Sequence, residues 1–314
     1  MKMQRLMLAV LAVCGTSAAM AQSSVTVYGR VNTTIERQKI GSESVSGMYN
    51  NASRIGFKGV EDLGSGLKAG FVLEAGFGSD DGSGPLAFRR QSELNLSGNF
   101  GMLRLGNFDA ESYYATADVV SMHNHDTGSS ADALYDYNMR TGNQIAYRTP
   151  EFGGFWAEVQ HSFHEKVAGE RNAWDLAVNY NAGALGLGAG YSQVGSDKQA
   201  ALRATYAFGP MTLGAYYQRS DKDFLGTRNN FRLAAMYTVG ASEFHANVGR
   251  ANKWSDVADS SANQWTLGYN YNLSKRTKVY GYYTKVDNKA GAGYMTGVAG
   301  VDFSSFALGV RHNF

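Results

Sequence analysis

The chain is predicted to be all-β, a 16-stranded antiparallel transmembrane β-barrel, and three observations predict it. Near the end, Phe306, Leu308, Val310, His312 and Phe314 take every second position, with Ala307, Gly309, Arg311 and Asn313 between them. Successive side chains of a strand point to opposite faces, so this alternation makes one apolar and one polar face, as a wall between lipid and water requires. Strand candidates recur about every 18 residues, separated alternately by short and long breaks. Nothing after residue 21 approaches the about 20 consecutive apolar residues that a spanning helix needs.

Composition agrees once half of each strand is allowed to face water. A mean hydropathy of −0.31 reads as soluble in isolation, but a barrel with a wet lumen and polar connections is polar on average. With 38 Gly, 19 Tyr and only 3 Pro, the chain suits extended strands, tight turns and interfacial aromatic girdles.

The N-terminus reads as an export signal. Lys2 and Arg5 precede an apolar run over 6–13, and Ala19-Met20-Ala21 places small residues where a signal peptidase cuts. Residues 1–21 are therefore expected to be a signal peptide and 22–314 the barrel. Cleavage removes two of 29 cationic side chains set against 27 acids, leaving a formally neutral chain, and no nucleic-acid partner is implied. The one cysteine, Cys14, lies in the cleaved segment, which leaves no disulfide or thiolate metal site. Lipid attachment at Cys14 is the alternative, and the bulky Val13 before it disfavours that reaction.

Sixteen strands follow in order: 25–36, 54–61, 67–77, 90–97, 102–108, 144–148, 155–163, 174–180, 185–194, 199–208, 211–219, 228–239, 244–250, 264–272, 277–286 and 302–314. An even number closes without edges. Short reversals are expected at 61–66, 98–101, 150–154, 181–184, 209–210, 240–242 and 273–276, where Gly and Asn supply the backbone angles a tight turn needs. Outward loops are expected at 39–50, 78–86, 165–172, 251–260 and 288–300.

One connection stands apart. Residues 109–141 hold no convincing strand, far beyond the usual loop of about 4 to 6 residues. Yet they carry Tyr113, Tyr114, Val119, Val120, Met122, Leu134, Tyr135, Tyr137 and Met139. A disordered segment lacks so many large apolar groups. A loop that packs is implied, and inside a wide barrel the surface on offer is the inner wall.

Several segments carry a family likeness: Ser24-Val25-Thr26-Val27-Tyr28-Gly29, Ser53-Arg54-Ile55-Gly56-Phe57-Lys58-Gly59-Val60-Glu61-Asp62-Leu63-Gly64, Leu73-Glu74-Ala75-Gly76-Phe77, Leu96-Ser97-Gly98-Asn99-Phe100-Gly101 and the closing Phe314. The chain resembles the general porins of beta-proteobacteria from end to end of the mature sequence. The resemblance implies an outer-membrane homotrimer of 16-stranded barrels, set in outer-membrane lipid and lipopolysaccharide. It also implies a third loop folded inward, here 109–141, and passage of small hydrophilic solutes, often anions. Phe314 resembles the terminal signal read by the barrel assembly machinery. The chain departs from the family pattern at Asn107, where members usually carry arginine, and at Arg89, Glu93 and Asn95.

Alternation sorts the side chains. With Ile55 and Phe57 toward lipid, Arg54 and Lys58 point inward; with Ala69, Phe71 and Leu73 outward, Lys68 and Glu74 take the lumen; Leu94 and Leu96 put Glu93 and Asn95 inside. The same rule turns Arg30, Arg104, Arg148, Arg203, Arg232 and Arg311 inward against Glu36, Glu158 and Asp175, so cations lead by about nine to five. A low-dielectric wall focuses such a field on the water path. A constriction is expected with Arg54, Arg89, Arg90 and Arg140 facing Asp109, Glu111, Asp118 and Asp126. The same charges can equally form neutralising pairs that fix the loop to the wall.

Other chemistry finds little support. His123-Asn124-His125-Asp126 lacks a third protein ligand for a catalytic metal. His161 and Ser162 are strand neighbours on opposite faces and cannot form a dyad. No nucleophile, base and orienting acid cluster, so no enzyme, cofactor or metal is expected. The expectation is a diffusion porin for small hydrophilic solutes and ions, with weak to moderate anion preference. A substrate-selective organic-anion channel, marked by saturable flux, is the nearest alternative.

Overall fold

Alternation in sequence becomes alternation in burial, with the polarity of a water-soluble protein reversed. Along the strand Gly226–Val239, Arg228, Asn230, Arg232 and Ala234 are buried while Phe231 and Leu233 are exposed. The same inversion recurs around the sheet, with Val31, Ile35, Leu94, Leu202 and Leu308 among the exposed apolar side chains. Hydrocarbon outside and a polar interior make this the stable arrangement.

The computed structural model describes residues 24–121, 128–138 and 142–314. The expected signal peptide, His123-Asn124-His125-Asp126 and Arg140 lie outside the described residues. Seventeen strand segments are described: β1 (Ser24–Ile40), β2 (Glu43–Asn50), β3 (Arg54–Gly64), β4 (Leu67–Gly76), β5 (Gln91–Gly98), β6 (Gly101–Asn107), β7 (Gln144–Arg148), β8 (Phe155–Ser162), β9 (Ala173–Ala182), β10 (Leu185–Val194), β11 (Asp197–Phe208), β12 (Met211–Lys222), β13 (Gly226–Val239), β14 (Ser242–Ala251), β15 (Ala262–Asn272), β16 (Thr277–Asn288) and β17 (Phe303–Asn313). Between β6 and β7 lie a short helix, α1 (Glu111–Thr116), and a 3₁₀ turn, Gly128–Ser130.

Each strand from β3 to β17 pairs antiparallel with the next. β1 closes the ring. One edge pairs with β17 from Arg30↔Asn313 to Ile40↔Phe303; the other pairs with β2 through its upper half and β3 through its lower half. β2 and β3 therefore occupy one position, and seventeen segments make a closed barrel of sixteen strands. The break at Asn51-Ala52-Ser53 inserts one extra residue opposite β1. Ala52 takes a φ of 58°, and Asn32 spans the gap, its Nδ2 donating to Asn51 O at 2.9 Å and its N to Ser53 Oγ at 2.9 Å. This is bulge geometry, which kinks a strand without ending it.

The break also corrects one expectation. Residues 39–50 are not an outward loop: β1 runs on to Ile40, a two-residue turn follows, and β2 returns along it. Alternation is weak in Ser44-Val45-Ser46-Gly47, and β pairing is specified there by the neighbouring strand more than by its own pattern. The other expected strands and turns match to within a few residues at their ends.

The seam depends on close approach at Gly29, whose N donates to Phe314 O at 3.1 Å while Phe314 N donates to Gly29 O at 3.1 Å. A Cβ at this position meets the Arg54 carbonyl oxygen at 2.5 Å and the Phe314 ring at 2.5 Å. Gly29→Ala is expected to destabilise the barrel by about 1–3 kcal/mol through overpacking, read as a lower urea midpoint for the detergent-folded protein.

Candidate functional site

The water-facing side of β3 to β8 carries a run of paired charges. Glu74 on β4 receives Arg90 Nε at 2.6 Å and lies 3.7 Å from Arg54 Nε. Lys58, exposed, sits 5.3 Å from the Tyr28 ring centroid, and Lys68 is exposed on the same face. Further round, five groups alternate in sign. Arg104 Nη2 meets Glu93 at 2.8 Å and its Nη1 meets Glu158 at 2.7 Å, while Arg148 bridges Glu158 at 2.8 Å and Glu111 at 2.6 Å. Arg104 stacks over Phe108 at 4.0 Å and Arg148 over Trp156 at 4.5 Å, which holds each guanidinium plane in place.

The described parts of the connection after β6, residues 108–121 and 128–138, bond to side chains of this polar face. α1 rests on β9 and β10: Ser112 N donates to Asp175 Oδ1 at 3.0 Å, Ser112 Oγ bonds Asp175 Oδ2, and Ser192 Oγ joins the same carboxylate at 2.5 Å. The approach is possible because β10 offers Gly188 and Gly190 on the docking face; a Cβ on Gly188 would run into the Ala115 carbonyl oxygen, and one on Gly190 would meet Ser112 at 2.8 Å. Tyr113, Ala117, Val120 and Tyr135 then pack against Ala201, Tyr216 and Ala234 of β11 to β13.

Farther along, Asp132 takes a two-pronged contact from Arg232, at 2.8 Å from Nε and 2.6 Å from Nη2, and a further bond from Tyr216. Burial pushes the Asp132 carboxyl up, but Arg232 beside it brings it below the usual carboxylate range. Gln218 exchanges two 2.9 Å bonds with the Asp136 backbone, and Gln264 does the same with Ala131 and Ala133 at 2.8 and 3.0 Å. At the 3₁₀ turn, Ser129 Oγ donates to Glu36 on β1 at 2.7 Å. Glu36 also accepts from Thr34, Gln38, Tyr282 and Ser305, so a fully buried carboxylate is held by neutral donors alone among the described residues.

A sheet closed on itself, polar within and apolar without, is the geometry of a membrane channel. A family model described as Gram-negative porin matches residues 8–291. The chain belongs to this family. Outer membrane porin protein 32 of Delftia acidovorans is 35% identical over 100% of both chains, and an outer membrane porin protein of Bordetella pertussis is 27% identical over 99% of this chain and 100% of its own length. Among solved structures, the anion-selective porin from Comamonas acidovorans matches with a TM-score of 0.78 at 31% identity, covering 93% of this chain and 100% of that one. The protein is thus an outer-membrane porin, with no enzymatic machinery implied by its family.

In this porin the expected constriction residues divide into two groups. Arg54 and Arg90 meet at Glu74, while Arg89 is exposed beside them, its carbonyl accepting from Asn107 Nδ2 at 2.8 Å. Asp109 accepts from Tyr114 OH at 3.0 Å; burial and then Asp109 and Asp118 push the Tyr114 hydroxyl up, and Arg90 is near enough to oppose them. Glu111 instead turns to Arg148, with Glu93 and Arg104 in the same chain of charges. Asp126 and Arg140 lie outside the described residues. Sequence reasoning passed over Ser112, Ser129 and Asp132 as anchors, and over the glycines of β10, although Leu185-Gly186-Leu187-Gly188-Ala189-Gly190 marks a strand with one face bare. His161 packs on Phe163 and Trp174, with Ser162 buried on the other face, and no dyad forms.

Two outcomes follow. Gly188→Ala pushes a methyl into the Ala115 carbonyl and is expected to weaken α1 docking by about 1–3 kcal/mol, seen as faster hydrogen exchange over 109–118. Glu111 sits at about 7 against an ordinary 4.5, raised by burial, lowered by Arg148 and raised again by Glu158, with Arg104 and Asp175 as lesser neighbours. A raised carboxyl favours the docked state at low pH, an advantage lost as pH climbs through about 7. Exchange protection of α1 is therefore expected to be greater at pH 5.5 than at pH 8, and Glu111→Gln is expected to flatten that dependence.

Proposed function

We propose that the protein is a general diffusion porin with a moderate anion preference, working as a homotrimer after export by a signal peptide at 1–21. The connection between β6 and β7 is read as folding into the lumen and narrowing it. One loop contacts Glu36 on β1, Asp175 on β9, Arg232 on β13 and Gln264 on β15; the interior is the one surface from which those strands are all within reach. Phe314, at the closing seam, is proposed as the signal read by the barrel assembly machinery.

A single asymmetry carries the selectivity reading. On β12 to β16 the inward polar groups are buried beneath the connection, with Arg232, Gln218 and Gln264 each 0% exposed, and Arg232 is neutralised by Asp132. On β3, β4 and the segment before β5, Lys58, Lys68 and Arg89 are exposed, and Arg90 is exposed beside its partner Glu74. Mobile anions in the water path therefore meet uncovered cations. The match to the anion-selective porin from Comamonas acidovorans supports the same sign.

Planar-bilayer recording under a salt gradient tests this. The expected result is three conductance steps per insertion and an anion-selective reversal potential, with Arg54→Glu/Arg90→Glu lowering the anion-to-cation permeability ratio several-fold. A strong cation preference in the unmodified protein rules out the assigned cationic path.

A further inference from the structure

In the connection between β6 and β7, the described stretches 108–121 and 128–138 expose only three side chains, and all three are large and apolar. Tyr114 is 39% exposed, Val119 39% and Tyr137 44%. Their neighbours turn the other way: Tyr113, Ala115, Ala117, Val120 and Tyr135 are at most 7% exposed and pack toward β10 to β13. So do three of the acids, with Glu111 on Arg148 at 2.6 Å, Asp132 on Arg232 at 2.6 Å and Asp136 on Lys222 at 2.5 Å. The connection therefore spends its charge on the strands and offers water two tyrosines and a valine.

Buried rings hold the exposed ones in place. Tyr113 touches both, its ring centroid 5.1 Å from that of Tyr114 and 5.4 Å from that of Tyr137. Tyr135 lies 5.2 Å from Tyr137 and meets Tyr216 of β12 edge to face at 5.4 Å. Tyr114 OH is fixed again on Asp109 at 3.0 Å. Passage of small polar solutes has no use for fixed apolar surface, and an exposed apolar patch marks a binding surface. Because the rings are already ordered, a flat solute laid on them costs the protein little further freedom.

Charge around the patch selects among flat solutes. Arg90 lies within electrostatic range of the Tyr114 hydroxyl, and Arg89 beside it is exposed. Asp118 lies within range of both tyrosine hydroxyls. An anionic group is therefore repelled on the side of the connection and attracted on the side of the two arginines. We propose that Tyr114 and Tyr137 form a stacking subsite for small aromatic carboxylates, the ring lying on the tyrosines and the carboxylate drawn to Arg89 and Arg90. The subsite depends on the inward fold of the connection and on the anion preference proposed above, and adds a solute class to them. Offset or edge-to-face contact between aromatic rings favours association by about twofold to tenfold beyond the area it buries.

The test records single channels of the full-length porin in chloride and titrates in benzoate, acetate, benzylammonium or glucose, reading the concentration of each that halves the current. Benzoate is expected to act at a concentration about threefold or more below that of acetate, with benzylammonium and glucose weaker than benzoate. Tyr114→Ser/Tyr137→Ser is expected to bring the benzoate value to that of acetate, while Tyr114→Phe/Tyr137→Phe keeps the rings and the difference. Insertion of conducting channels reports that each variant has folded. Equal values for benzoate and acetate in the unmodified porin, an unaltered difference in the serine variant, or block by benzylammonium or glucose at the benzoate concentration overturns the proposal. Two further readings on the same channels stand apart from it: the chloride reversal potential reports the anion preference, and a lower chloride conductance in Tyr114→Trp reports the inward fold. An anion-selective channel that Tyr114→Trp narrows but that treats benzoate as acetate loses the subsite and keeps the porin reading.

Discussion

Within hydrocarbon a backbone amide or carbonyl has no water to bond, so every one must find a partner in the chain. A sheet meets that demand only by closing, and here closure falls to β1. This strand pairs along one edge with β17 and along the other with two segments, β2 and β3, that share a single place in the ring. The two ends of the chain are brought together in the process, Gly29 bonding Phe314 in both directions. All other features of the molecule follow from having an inside and an outside with opposite solvent.

Once closed, the barrel faces a second problem. Its interior is too wide for the strands' own side chains to fill, since a sixteen-stranded ring leaves open space where an eight-stranded one is packed. Polar side chains of β1, β12, β13 and β15 need partners, and the connection after β6 supplies them: Asp132 for Arg232, Ser129 for Glu36, backbone groups for Gln218 and Gln264. Removing one member of such a buried pair leaves an uncompensated charge, a cost of about 3–5 kcal/mol. The contacts are spread over strands from β1 to β16, and the cations they do not reach, on β3 and β4 and just before β5, are the ones open to solvent.

Much of this was legible in the chain. The alternation at Phe306, Leu308 and Val310 gave the strand and its lipid face, and the same rule assigned Arg104, Arg148 and Glu158 correctly to one side. It did so because side-chain direction in a strand is a local property with a period of two. The segment at 43–50 escaped, since Ser44, Ser46 and Gly47 carry no contrast between faces. The docking points of the long connection escaped as well. Nothing near Asp132 in sequence announces Arg232, one hundred residues away.

The sequence alone determined the membrane class, the number of strands around the ring, the two faces of nearly all of them and the existence of an unusual connection carrying buried aromatics. Each of these depends on spacing between near neighbours along the chain. Only the tertiary structure decided that Glu111 pairs with Arg148 instead of facing Arg54 and Arg90, and that two glycines of β10, Gly188 and Gly190, make room for α1. Those facts depend on the stagger between strands, which sets what lies opposite what across the barrel, and stagger is fixed by closure of the entire ring, not by any one segment.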